Sequence, residues 1–128
     1  MSTRCQTRIY HKGDDGSFGA GRVATFYRHC DGYPSGHGAD LCNALVKAGD
    51  DVIALLSLLK IFDIELEPVD MVHGDVEYVY EVTLPGPYGF FPNGRPKPHV
   101  MVHHVRSNEV VYEGTPEDVR MEIIKDRF

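Results

Sequence analysis

The stretch Asp31-Gly32-Tyr33-Pro34-Ser35-Gly36-His37-Gly38 restricts what this chain can fold into more than any other. Upstream of it, Arg22 to His29 is a β-branched and aromatic run carrying Val23, Thr25, Phe26 and Tyr27, the composition of a strand. Downstream, Leu41, Ala44, Leu45 and Ala48 recur at helical spacing, and Gly49 stands where such a helix would stop. Between the two, Asp bonds its own local backbone, Gly reaches positive φ and Pro34 fixes the next bend, so the stretch is a strand-to-helix junction. Gly36 and Gly38 let the backbone pass close to whatever lies above the helix start. The first N–H groups of a helix are unpaired, which makes that position a natural seat for an anion or a carboxylate.

The flanking chain supplies the remaining elements. Thr3 to Tyr10 alternates in the period of a half-buried strand and pairs most simply with Arg22 to His29 as an antiparallel hairpin across a glycine-rich loop. Asp50 or Asp51 can cap a second helix from Val52 to about Phe62. Because that helix is apolar nearly all round, it is expected as the central core helix or as half core and half subunit interface. Ile64 to Pro68 reads as a short edge strand or a loop. Asp75 to Leu84 is the clearest strand, with Val76, Tyr78, Tyr80, Val82 and Leu84 on one face. Pro85 to Pro98 holds five of the eight prolines and can be neither helix nor central strand. A hairpin follows, Val100 to Val105 and Val110 to Glu113. Thr115-Pro116-Glu117-Asp118 then opens a closing helix to about Arg127, with Val119, Ile123, Met121 and Ile124 directed inward. The order β-β-α-α-β-β-β-α predicts an α+β domain with a largely antiparallel sheet of about five strands and helices packed on one face. Its 128 residues fit a single globular domain over 1–128, large enough to bury a core without disulfides or metal.

Charge narrows the function classes. The net charge is -6. Residues 31–81 carry their many Asp and Glu against only Lys47 and Lys60, which argues against general nucleic-acid binding; such acidity serves solubility first, and it also permits an acidic face that meets a basic partner surface. Cys5, Cys30 and Cys42 include no CxxC pair, and the chain opens with no leader pattern, so the expected compartment is the reducing cytoplasm. The longest apolar run, Val52 to Leu59, is too short to span a bilayer, and no membrane association is expected.

The opening Met1-Ser2-Thr3-Arg4, the motif Asp31-Gly32-Tyr33-Pro34 with Gly36 and Gly38, and the segment Asp75-Val76-Glu77-Tyr78-Val79-Tyr80-Glu81 together resemble a widespread group of small "DGYP" proteins from bacteria, prophages and phages. The likeness covers roughly the first 85 residues. Many members of that group carry tryptophan where this chain has Cys30. The resemblance implies an accessory or host-interaction role, directed at a host defence system, and it brings no assigned reaction.

Three chemistries compete at the junction. His29, Cys30, Asp31, His37, Asp40 and Cys42 are all metal-ligand types, but they lack the spacing of a metal signature, and no metal or cofactor is expected. A small hydrolase or metal-dependent enzyme would use His29 or His37 as base and Asp31 to orient it, with Tyr33 or Cys30 nearby, yet no triad or carboxylate pair follows from the spacing. His37, flanked by glycines, is expected at the surface. The leading reading is recognition without turnover. The junction would present Arg28, His29, Asp31, Tyr33 and His37, and the proline-rich loop would present Tyr88, Phe90 and Phe91 beside Arg95 and Lys97. The expected partner is another protein, and the apolar second helix offers a homodimer surface. A small anionic ligand, such as a nucleotide held by helix N–H groups with Arg4, Arg28 and Tyr33, is the further alternative.

Overall fold

The computed structural model describes residues 3–11, 21–49, 51–72, 74–85 and 97–127. The elements are β1 (Cys5–His11), β2 (Gly21–Arg28), a single π-helical turn (Pro34–Gly38), α1 (Ala39–Ala48), α2 (Val52–Leu59), β3 (Ile64–Glu67), β4 (Tyr78–Leu84), β5 (His99–His104), β6 (Glu109–Gly114) and α3 (Pro116–Arg127). The strands form one sheet in the order β3-β2-β1-β4-β5-β6.

The class is α+β, as expected, but the sheet differs in two respects. It has six strands rather than about five, because Ile64–Glu67 pairs with β2 as an edge strand, Leu66 opposite Phe26. It is also mixed rather than largely antiparallel: β1 and β4 run parallel at the centre, from Cys5 opposite Tyr78 to His11 opposite Leu84. The hairpin partner β2 fills one side of β1, so β4 takes the other. The chain reaches that side from β3 by crossing under β2 and β1, and its underside contacts are polar. Gln6 Nε2 donates to the Met71 carbonyl at 2.9 Å, and Thr25 Oγ1 donates to the Val69 carbonyl at 2.7 Å. Both side chains are buried, and these bonds offset the cost of taking them out of water.

On the opposite face the helices cover the core. Cys5, Ile9, Phe26, Tyr80 and Val82 of the sheet meet Leu41 and Leu45 of α1, Leu55 and Leu59 of α2, and Val119 and Ile123 of α3. Each fully buried aliphatic side chain there contributes about 1.5–3 kcal/mol of transfer free energy. The second helix is shorter than expected, ending at Leu59, and it is core on one side only: Leu55 and Leu59 are sealed while Ile53 is 78% exposed. In α3 only Val119 and Ile123 turn inward; Met121 and Ile124 are exposed, because a helix lying on a sheet buries a narrow stripe. No helix among the described residues is long and apolar enough to cross a membrane.

Local signals set the helix ends. The Asp118 N–H donates to Thr115 Oγ1 at 3.2 Å, with Pro116 in the first helical position. Gly49 ends α1 at φ 64°, and its N–H donates to the Leu45 carbonyl. At the start of α2 the Ala54 N–H donates to Asp51 Oδ1 at 3.1 Å. Asp51→Ala removes that cap and is expected to lower the unfolding free energy by about 1 kcal/mol in a urea titration, with the m-value unchanged.

Candidate functional site

The junction begins where β2 stops at Arg28. His29 and Cys30 are exposed, and Asp31 then turns the chain with φ 59°, a left-handed conformation that Asp tolerates better than most residues. Gly32 is clamped against the first strand. Its N–H donates to the Thr3 carbonyl at 2.8 Å, and its own carbonyl accepts the buried Tyr80 hydroxyl at 2.7 Å. A Cβ at Gly32 would stand 2.8 Å from the Thr3 carbonyl oxygen and 2.9 Å from Cys5 Cβ, so only glycine fits this approach. Past Tyr33, the π turn runs into α1 without a break. The Gly36 N–H donates to the Tyr33 carbonyl and the His37 N–H to the Asp31 carbonyl, so these two donors of the helix start serve the turn itself rather than an external anion.

His37 corrects the expectation of a surface histidine. Its ring is 0% exposed and lies edge-on to Phe26 and Tyr80, with centroids 5.9 and 4.8 Å away. The glycines on either side allow this inward packing: Gly38 has Ile123 Cδ1 only 3.2 Å from the place a Cβ would take. The ring bonds on both edges. Arg28 NH1 lies 3.3 Å from Nδ1, and Thr7 Oγ1 lies 2.8 Å from Nε2. Because guanidinium has no acceptor, Nδ1 must accept, Nε2 carries the proton, and Thr7 Oγ1 receives it. Burial first, and the Arg28 charge second, push the imidazole down to about 3, so the ring is neutral.

Arg28 is likewise turned inward, at 7% exposure. Its NH1 donates to Asp40 Oδ2 at 2.9 Å, its NH2 stands 4.0 Å from Asp31 Oδ2, and its guanidinium carbon sits 5.1 Å from the centroid of the Phe62 ring. A charge this deep is tolerable only with its carboxylate and hydrogen-bond acceptors in place. Arg28 is thus committed to the fold, and Arg4, the other cation of the anion-binding reading, is paired with Asp75 at 3.0 Å.

The expected site residues therefore divide into two groups. Arg28 and His37 face the interior together with Thr7, Tyr80 and Asp40. His29, Asp31 and Tyr33 remain outside: Tyr33 is 40% exposed and donates to Asp31 Oδ1 at 3.2 Å, while the Tyr27 hydroxyl lies 3.3 Å from His29 Nδ1. Burial lifts the Cys42 thiol to about 12, and it lifts Cys5 to about 12 against the pull of Arg28, so both are held as thiols within the core. Among the described residues no three His, Cys, Asp or Glu side chains converge in a way that would hold a metal ion. Tyr88, Phe90 and Phe91 lie outside the described residues. Thr7 and Tyr80 were not expected at the site; the signal for them was their inward phase on β1 and β4, which the parallel pairing sets side by side, Thr7 opposite Tyr80. No family model matches this chain, and neither a curated protein nor a solved structure matches it.

Two outcomes follow for the buried cluster. Asp40→Ala leaves the Arg28 charge buried without its carboxylate and is expected to cost about 3–5 kcal/mol by chemical denaturation. The neutral His37 ring couples stability to pH. Below its ordinary value of 6.5 the unfolded chain takes up a proton that the folded chain refuses down to about 3. That contribution is complete above pH 6.5 and is lost, by up to about 1.4 kcal/mol per pH unit, as the pH falls. Urea titrations at about pH 7 and about pH 5 are expected to show a smaller drop for His37→Gln than for the wild type; equal drops would refute the assignment.

Proposed function

We propose that the protein acts by binding another protein in the cytoplasm, through the outer side of the DGYP junction, and catalyses no reaction there. The observation that carries this reading is the division of the junction into two sides. Arg28 and His37 are sealed inside and already satisfied, whereas His29, Asp31 and Tyr33 face out from a backbone fixed at Gly32. A rigid loop that shows an aromatic ring beside polar groups resembles a binding hot spot, because little entropy is lost when a partner settles on it. The hydrolase reading loses His37 as its base, since that ring has neither access nor a free nitrogen, and is left with exposed His29, whose Nδ1 lies 3.3 Å from the Tyr27 hydroxyl. The likeness to the DGYP proteins extends the proposal to a phage-type accessory protein whose partner belongs to a host defence system. The exposed side of α2, with Ile53 and nearby Ile61 at 82% exposure, offers a homodimer surface in the same scheme.

Side-by-side pull-downs from bacterial lysate test the reading, with the wild type against His29→Ala/Tyr33→Ala. Both positions are exposed, so the variant should keep its thermal midpoint within a few degrees. The expected result is a captured protein that the variant loses. Equal capture by both forms, or none above bare resin, counts against the junction as the recognition surface.

A further inference from the structure

A cavity of about 540 Å³ opens beside the junction, with Pro34 and Ser35 in its wall. The rest of the lining comes from β4, β6 and α3, elements far apart in sequence. Tyr78 and Tyr112 supply aromatic surface, Val110 and Pro34 supply aliphatic surface, and Glu109 and Asp126 supply carboxylates. Among the described residues no Lys, Arg or His lines it. The nearest lysine in sequence, Lys125, reaches Glu122 at 3.6 Å instead. The Tyr112 hydroxyl donates to Asp126 Oδ2, which fixes that carboxylate at the cavity wall. Burial first, then the bond and charge of Asp126, lift the Tyr112 phenol to about 12, so it stays a neutral ring and a donor.

From this lining we infer that the cavity receives an alkyl cation, the side chain of an arginine or lysine on the partner protein. The aliphatic stem would lie along Val110 and Pro34, and the charged head would meet the faces of Tyr78 and Tyr112 and the two carboxylates. Aromatic faces and carboxylates both favour a cation, and each loses its advantage with a neutral guest of the same shape. The volume exceeds what a bare inorganic ion needs and suits a long side chain. Guanidinium fits best, because it is planar, stacks on tyrosine and meets carboxylates with paired donors. This inference rests on the binding reading above and names the chemical class of the partner group.

Titration of ¹⁵N-labelled protein with N-acetylarginine amide tests it, using the isosteric but uncharged N-acetylcitrulline amide as control. Saturable shifts centred on the Glu109, Val110 and Tyr112 amides are expected for the arginine probe, with binding about tenfold weaker for citrulline. Glu109→Gln/Asp126→Asn keeps shape and hydrogen-bonding capacity. It should keep the wild-type thermal midpoint and weaken the arginine probe by about tenfold. Equal affinity for both probes, shifts mapping elsewhere, or no loss in the double variant would overturn the inference. A pull-down separates it from the broader reading. If the wild type captures a protein and Glu109→Gln/Asp126→Asn still does, the cation site fails while the binding function stands. If the wild type captures nothing, the binding function fails, and the titration alone decides the cavity.

Discussion

One guanidinium holds the junction together. Arg28 closes β2 and reaches Asp40 on α1, His37 on the π turn and Phe62 beyond α2, so a strand, a turn, a helix and the segment after α2 converge on a single buried charge. The desolvation cost of that charge is several kcal/mol, and it is offset only while the carboxylate, the imidazole lone pair and the aromatic face all stay in register. The neutral state of His37 belongs to the same arrangement, since a protonated ring could not accept from Arg28. In turn His37 donates to Thr7 on β1, which carries the constraint from the helical layer into the centre of the sheet.

This explains why so polar a stretch contributes little chemistry of its own. The residues that draw attention in the sequence are those the fold uses most heavily. Gly32 and Gly36 permit close backbone approach, Asp31 supplies the left-handed turn, and Arg28 and His37 satisfy one another inside. What stays exposed is the rim of the junction, with His29, Asp31 and Tyr33, and the acid-lined cavity beside it.

Much of this was legible in the residues. The caps at Asp51 and Thr115, the stop at Gly49 and the strand phases of β1 and β4 all follow from local rules that act within a few residues. The parallel β1–β4 pair was not legible, because strand alternation is the same whichever neighbour a strand has. The burial of His37 was missed for a related reason. Flanking glycines show that the backbone can turn, and nothing in them shows which way the ring will point once Thr7 and Tyr80 are brought together. The cavity was hidden more fully, since its rings and carboxylates come from three separate elements and form no motif in the chain.

The parallel pair at the centre of the sheet also sets an order of assembly. During synthesis β1 and β2 can form a hairpin early, but the far side of β1 stays open until the ribosome has released β4, with α1, α2 and β3 all emerging in between. Until then Thr7 lacks its Tyr80 neighbour, Gly32 lacks the hydroxyl that holds its carbonyl, and an unpaired strand edge faces other nascent chains. Contacts this distant in sequence slow folding, so the junction completes its contacts only after β4 has emerged, well after its own residues have left the ribosome.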